Sequence, residues 1–208
     1  MVEGTRVTRL RDEGDRVVLR TRSHGSSADD GELRARRVVL GTNAFPSPVS
    51  RLRPYVVPVW DHVLVTEPLT PQQRQAIGWA GRQGFADAGN QFHYSRLTAD
   101  DRILWGGYDA LYYYGSDLSR RRERRPQTEQ LLARQLVETF PALAGIGFSH
   151  TWAGPIDTST RFTAFWSRAC GGKVASVQGH TGLGVGASRF GAQVALDLVE
   201  GRDTQRSR

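Results

Sequence analysis

Residues 173–187 read KVASVQGHTGLGVGA, and the architecture of the chain follows from this stretch. The first six residues are short and β-rich, which predicts a strand. The glycine-rich loop that follows leads into a helical pattern that ends at Gly201. Strand, glycine loop and helix in this order are typical of a cofactor site, because glycines let a ligand approach backbone N–H groups closely.

The loop by itself is a weak signal. Gly182, Gly184 and Ala187 satisfy the G-x-G-x-x-G/A pattern. A dinucleotide fold, however, needs a second parallel strand with an acidic residue about 20 residues later, and the chain ends first. On the pattern alone, a tight glycine turn is as good an interpretation as a ligand site. The N-terminus of the helix still offers unpaired N–H donors and a partial positive charge, which suit an anionic ligand atom.

Much of the remaining chain is predicted to be β-structure. Six short stretches are rich in β-branched and aromatic residues, and we predict them as strands. They are residues 5–10, 16–20, 35–40, 59–66, 91–97 and 102–108. The first three form a β-meander, and the last two form an antiparallel hairpin. Prolines interrupt the pattern between Pro46 and Pro58 and indicate a domain crossing.

Two amphipathic helices complete an α+β fold class. Each has apolar residues four apart on one face. They are Leu132, Leu136 and Phe140 in residues 127–140, and Phe190, Val194 and Leu198 in residues 187–200. The first helix should cover one face of the central sheet. In the second, Gly191 and Ala195 should allow close approach to its neighbours.

Composition argues against several classes of protein. The net charge is +7, but Lys173 is the only lysine among 28 basic residues. The arginine run at residues 120–125 lacks interleaved aromatic residues, so we interpret it as a solvated loop and not as a nucleic-acid surface. One cysteine, Cys170, and no Cys/His cluster predict no disulfide and no metal site. The absence of a long apolar run and of a signal sequence predicts a cytoplasmic protein with no membrane partner.

Four stretches resemble, in matching order, the D-amino-acid oxidase-like family of FAD-dependent oxidoreductases, especially its amine-oxidising members. They are Glu3–Val7, Arg37–Ala44, Thr151–Gly154, and Gly179–Gly186 with the helix after it. Together they span nearly the whole chain, which is more specific than any one of them. The resemblance implies the C-terminal portion of an enzyme that oxidises a C–N bond of an amine or amino acid by hydride transfer to FAD.

The resemblance also implies which residues contact the cofactor. Val7 would meet the adenine through its backbone. The chain would pass the flavin at Gly41, Thr42 and Asn43. The pyrimidine edge of the isoalloxazine would lie beside Thr181, Gly182, Leu183, Gly184 and Val185. No catalytic residue is assigned.

The substrate site departs from the family pattern. Members that act on small amino acids often carry an arginine two residues after the W-x-G triplet, where this chain has Ile156 followed by Asp157. We therefore expect an amine, or an amino acid whose carboxylate is held by Arg96 or Arg161, with Asp157 facing the ammonium group. Tyr94, which shares a strand with His93, and Tyr108 are further candidates to line the substrate cavity.

A second departure concerns the start of the chain. Intact members begin with a strand, a G-x-G-x-x-G turn and a helix, and nothing of that kind precedes Val7. We therefore expect residues 1–45 and 171–208 to form a remnant of a ββα FAD-binding domain whose N-terminal half is missing. Residues 46–170 should form an antiparallel substrate domain with helices on one face. The alternatives are a truncated, flavin-free fragment with at most an interaction role, and a basic nucleic-acid binder.

Overall fold

The computed structural model describes residues 1–107 and 109–207 and divides the chain into two compact units. Unit 1 comprises Met1–Val57 together with the residues from Ile156 onwards, and unit 2 comprises Pro58–Pro155. Each unit combines β-sheet with helix, so the predicted α+β fold class is confirmed. Unit 1 is therefore built from both ends of the chain, whereas unit 2 is continuous in sequence.

The N-terminal part of unit 1 is a three-stranded meander. Its strands are β1 (Thr5–Glu13), β2 (Arg16–Ser23) and β3 (Gly31–Ala35), in the order β1-β2-β3 with both pairings antiparallel. The central strand β2 buries Val17, Val18 and Leu19. These residues stabilise the meander because a three-stranded sheet needs an apolar face to be stable in water.

A second sheet in unit 1 joins distant parts of the sequence. It contains β4 (Val38–Leu40), β10 (Phe165–Ala169) and β11 (Val174–Gln178), in the order β10-β11-β4. Strand β11 pairs parallel with β4 and antiparallel with β10. Every residue of β11 is buried, as is typical of a strand covered on both faces.

Helix α3 (Gly184–Glu200) packs against β11 and ends at Gly201, which has a left-handed φ of 69°. The close approach requires a glycine at position 191, because a Cβ there would lie 2.8 Å from Cγ2 of Val177. The predicted helix is confirmed, although it begins three residues earlier than expected. Phe190 is 49% exposed and so does not belong to the buried face predicted for it; its ring meets Trp166 edge-on.

The prediction of residues 35–40 as the third meander strand is wrong. That position is taken by β3, most of which lies between the strands predicted at residues 16–20 and 35–40, while β4 leaves the meander and joins the other sheet. The amide of Val38 donates to the carbonyl of Lys173 at 2.9 Å, at the start of the parallel pairing with β11. Local sequence patterns carry no information on a partner this distant.

Unit 2 is organised around a five-stranded sheet. Its strands are β5 (Val56–Thr66), β6 (Phe85–Ala86), β7 (His93–Leu97), β8 (Ile103–Gly107) and β9 (Phe148–Ser159), in the order β6-β7-β8-β5-β9. Strands β5 and β9 each continue into unit 1 along the chain. The predicted hairpin is confirmed as the antiparallel pair β7–β8.

Two α-helices lie in the described part of unit 2. Helix α1 (Pro71–Ala76) starts with a capping box between Thr70 and Gln73, and helix α2 (Pro126–Thr139) confirms the predicted helix. The buried side chains Leu132 and Leu136 of α2 share one apolar cluster with Trp105 of β8. Burial of this face stabilises the unit, because each fully buried large apolar side chain contributes roughly 1.5–3 kcal/mol.

The arginine run lies beside α2 and is largely neutralised by nearby acids. Asp117 accepts from Arg121 and Arg122, while Arg124 pairs with Glu129. Compensated surface charge of this kind is what the interpretation as a solvated loop anticipates. Of the helices in the described part of the chain, none has the length and apolarity needed to span a bilayer.

Candidate functional site

The glycine loop of unit 1 connects β11 to α3 in a strongly curved path. Gly179, Thr181 and Gly182 have φ values of 76°, 51° and 86°, in the left-handed region. Glycine is required at position 179, because a Cβ there would lie 2.7 Å from Cβ of Ser159. Thr181 adopts a conformation that β-branched residues rarely occupy, so its neighbours must hold it there.

Some backbone amides of this loop are already used within the protein. The amide of Thr181 donates to the carbonyl of Asp157 at 3.2 Å, and the amide of Leu183 donates to the carbonyl of His180 at 3.0 Å. Those of Gly182, Gly184 and Val185 make no hydrogen bond within residues 1–107 and 109–207, and no side chain caps α3. The amide of Gly186 is likewise unbonded within these residues, so four donors are free at the positive end of a helix dipole, three of them within residues 181–185.

The space beside these three amides is open within unit 1. The side chain of Val185 is fully exposed and that of Leu183 is largely exposed. A Cβ placed on Gly182 or Gly186 would meet no atom within 4 Å. A flat ligand can therefore approach the amides without displacing a side chain of this unit.

The segment Gly41–Asn43 lies at the same sheet edge as the glycine loop. Strands β4 and β11 are parallel neighbours, so their carboxyl ends coincide. The side-chain amide of Gln178 donates to Oγ1 of Thr42 at 3.2 Å. The carbonyl oxygen of the same side chain, Oε1 of Gln178, is buried and has no partner among the described residues. Two of the three predicted cofactor segments are thus brought together.

Val7 stays in the meander. It is half-buried in β1, an edge strand, and a register shift follows it before Arg9. Within the described residues we find no hydrogen bond from Val7 to Gly41–Asn43 or to the glycine loop.

Asp157 is only 4% exposed and is bound to the start of the glycine loop. Its Oδ2 accepts from the amide of Gly179 at 2.7 Å and from the amide of His180 at 3.3 Å. The ring Nδ1 of His180 lies 3.3 Å from the same oxygen. Arg161, by contrast, is exposed in the turn after β9, and the described residues offer it no ion pair.

Tyr94, Arg96 and Trp152 line a cleft of about 580 Å³ on the sheet of unit 2. The hydroxyl of Tyr94 donates to Oδ2 of Asp61 at 2.5 Å, and its ring packs over Gly106. Burial raises the pKa of Asp61 and the pKa of Tyr94, so the tyrosine stays protonated as the donor of this pair.

Strand alternation separates Tyr94 from His93. The ring of His93 stacks on Trp105 at a centroid distance of 4.5 Å, and its Nε2 lies 3.0 Å from Oε1 of Gln135 in α2. Tyr94 therefore points to the opposite face of the sheet. Tyr108, the remaining substrate candidate, lies outside the described residues.

Sequence reasoning missed Asp61 and Gln178. Asp61 is the one acid of the mainly apolar strand β5, and Gln178 is the last residue of a fully buried strand. A polar residue at such positions needs a partner, and this is the signal that was available in the sequence.

The donor set fits the flavin ring that the family resemblance implies. The pyrimidine edge of a flavin presents acceptors at N1 and C2=O, and the free amides of Gly182, Gly184 and Val185 are donors. The open space beside Gly182 and the buried, unpartnered oxygen of Gln178 are further features expected of a site for a planar polar ring.

Comparison with known proteins assigns the chain to a family. A family model described as FAD dependent oxidoreductase, or DAO, matches residues 1–198. The "Probable oxidoreductase OrdL" of Rhizobium meliloti (strain 1021) is 24% identical over 99% of this chain and 44% of its own length. Gamma-glutamylputrescine oxidoreductase of Escherichia coli (strain K12) is 27% identical over 82% of this chain and 38% of its own length.

Solved structures share the fold. Glycine oxidase from Geobacillus kaustophilus matches with a TM-score of 0.74 and 18% identity, over 97% of this chain and 49% of its own. L-proline dehydrogenase from P. horikoshii matches with a TM-score of 0.71 and 17% identity, over 96% of this chain and 50% of its own. The chain thus spans half or less of the length of these relatives. The fold, the glycine loop and the match over residues 1–198 together show that the chain belongs to the DAO family of FAD-dependent oxidoreductases.

Proposed function

We propose that this chain provides the flavin-edge site and the substrate face of an FAD-dependent oxidoreductase that oxidises a C–N bond of an amine or amino acid. When bound, FAD would accept a hydride from the carbon next to nitrogen, and the substrate, after loss of its N–H proton to water, would be left as an imine. The protein's own contribution is to bind, orient and tune this cofactor.

The observation that carries the proposal is the set of free amides at Gly182, Gly184 and Val185. Negative charge develops at the pyrimidine edge of a flavin when it is reduced. Fixed N–H donors and the helix dipole at this edge stabilise that charge, because they need not reorganise during the reaction. The amides therefore favour the reduced cofactor as well as its binding.

We assign the flavin-binding role to unit 1 and the substrate-binding role to unit 2. Residues 1–45 and 171–208, expected from the sequence to bind FAD, both fall within unit 1. The substrate domain expected at residues 46–170 shares its central part with unit 2. Val7, Gly41, Thr42 and Asn43 remain proposed contacts to FAD, together with the loop residues 181–185.

The cleft of unit 2 supports a small amine or amino-acid substrate. Arg96 lines the cleft, and no described residue forms an ion pair with it, so its guanidinium is available to bind a carboxylate. Tyr94 supplies an aromatic wall that Asp61 holds in place. The names of relatives, among them glycine oxidase and gamma-glutamylputrescine oxidoreductase, agree with this class of substrate. We leave Asp157 out of the substrate set, because its carboxylate is bound inside unit 1.

Location and further partners are also proposals. Burial raises the pKa of the Cys170 thiol, so the single cysteine is kept protonated and unreactive. Because a chain with a single cysteine forms no internal disulfide, we also propose a cytoplasmic location. The neutralised arginine run argues against a nucleic-acid partner.

A titration of the purified chain with FAD tests the proposed function. We expect the flavin absorbance to shift on binding and FAD to remain with the protein during gel filtration. Val185→Asp places a carboxylate in the first turn of α3, where it favours the helix but repels the electron-rich flavin edge. We expect at least about a tenfold loss of FAD affinity, which corresponds to about 1.4 kcal/mol.

The matched control is Val185→Asn, which has a similar size and no charge, and which we expect to keep most of the affinity. A folded wild-type chain that takes up no FAD present in large excess would refute flavin binding by this chain. That result would favour the alternative of a flavin-free fragment, for which the half-length match to the relatives is the supporting observation.

A further inference from the structure

We infer that Asp157 is a positioning residue that presets the glycine loop, so that the amides of Gly182, Gly184 and Val185 stay open as a group. The inference deepens the proposed function and rests on it for the identity of the ligand. It gives Asp157 a role different from contact with a substrate ammonium group.

The carboxylate of Asp157 accepts hydrogen bonds from the first half of the loop. Its Oδ2 accepts from the amides of Gly179 and His180 at 2.7 and 3.3 Å. Its main-chain carbonyl accepts from the amide of Thr181 at 3.2 Å. One residue of β9 therefore satisfies three consecutive amides, and the next amide along the chain, that of Gly182, is the first left free.

A second set of bonds fixes Thr181 in its left-handed conformation. Its Oγ1 accepts from the amide of Ser159 at 3.2 Å and donates to the carbonyl of Gly179 at 3.0 Å. These bonds hold a β-branched residue at a φ of 51°, which it would leave in a free chain. The end of β9 and the loop thus form one hydrogen-bonded unit, with Asp157 at its buried centre.

A carboxylate suits this position better than a neutral group. Hydrogen bonds to an ionised acceptor are roughly twice as strong as bonds between neutral groups. Asn at position 157 would retain one oxygen acceptor but lose the charge. Ala would leave the amides of Gly179 and His180 without an acceptor in a buried place, which strongly favours rearrangement of the loop.

Backbone amide hydrogen exchange, followed by NMR on the 15N-labelled chain, tests this role. In Asp157→Ala we expect the amides of Gly179, His180 and Thr181 to exchange at least about tenfold faster than in the wild type. Amides in the middle of α3, such as that of Val194, should keep their wild-type rates. The proton signal of the Gly179 amide should also move upfield, because it loses its 2.7 Å bond to a carboxylate.

Two further variants sharpen the test. Asp157→Asn should show several-fold faster exchange of the same amides, less than Asp157→Ala, because it keeps a neutral acceptor. If Asp157→Ala does not fold, the exchange rates in Asp157→Asn alone test the role of Asp157. Thr158→Ala, one residue along the same strand and without a side-chain hydrogen bond among the described residues, is the control and should match the wild type.

The inference is overturned if the loop amides of both Asp157 variants exchange at wild-type rates. It is also overturned if exchange accelerates equally throughout unit 1, since Asp157 would then stabilise the unit and not the loop. Should the wild-type chain bind FAD, Asp157→Ala should weaken that binding about tenfold. Should the chain bind no FAD, the proposed function fails for this chain, while the exchange rates still decide the role of Asp157.

Discussion

Replacement of His62 by leucine should stabilise the protein, and more so in acid. His62 lies in β5, is 1% exposed, and neither of its ring nitrogens has a partner in the described parts of the chain. Burial lowers its pKa below the ordinary value of 6.5, so the folded state keeps the ring neutral. A neutral ring still carries one N–H, and this donor is buried without an acceptor.

The size of the effect follows from two contributions. A buried, unsatisfied donor costs about 1–3 kcal/mol, and repacking a core site with a side chain of similar volume costs up to about 1.5 kcal/mol. We therefore expect His62→Leu to raise the free energy of unfolding by about 1 kcal/mol at neutral pH. Below pH 6.5 the unfolded chain binds a proton at His62 that the folded chain resists. The free energy of unfolding of the wild type then falls by up to about 1.4 kcal/mol for each pH unit. That of the variant does not change with pH through this position.

Urea unfolding followed by circular dichroism at about pH 7.5 and about pH 5.5 measures both contributions. The advantage of His62→Leu should grow to about 2 kcal/mol at the lower pH. His24→Leu, at an exposed histidine, is the control and should leave the free energy of unfolding unchanged at both pH values. A variant that is less stable than the wild type at both pH values, or whose advantage does not depend on pH, would refute the reasoning.

Three further substitutions test the packing of each unit. Tyr94→Phe removes the donor to the half-buried Asp61 and should lower the free energy of unfolding by about 1–3 kcal/mol in urea titrations. An unchanged free energy would mean that this hydrogen bond contributes nothing to stability. Gly179→Ala should lower the free energy of unfolding more than Gly14→Ala in the same assay, because both glycines have positive φ but only position 179 is crowded. Equal losses of stability in the two variants would contradict this. Leu132→Ala should lower stability by about 2–5 kcal/mol, visible as a lower thermal midpoint, and a loss below about 1 kcal/mol would show that the core closes around the cavity.

The sequence was most informative where the deciding contacts are local. The hairpin β7–β8 and the helix α2 were predicted because their turn residues and apolar spacing lie within one stretch of chain. Strand β4 was misassigned because its partner β11 lies far along the chain. Helix α1 was not predicted, since a six-residue helix gives almost no periodic signal.

In the candidate site, too, local features were predictable from the sequence and long-range contacts were not. The glycine pattern of residues 179–187 predicted a loop at the start of a helix, and the structure places such a loop there. Which amides remain free was not predictable, because that depends on bonds from Asp157 and His180 that only the folded chain makes. The pairing of Tyr94 with Asp61 depends likewise on the register of three strands.

The order in which the units can fold follows from the pairing of β4 with β11. During synthesis, Val38–Leu40 leaves the ribosome long before its parallel neighbour Val174–Gln178 exists. Pro58–Pro155, in contrast, is complete once its own segment has emerged. Because contacts of large sequence separation form slowly, unit 2 should fold first, and β4, with Leu40 uncovered, should wait until Val174–Gln178 has emerged. This waiting period is when the nascent chain has most need of a chaperone.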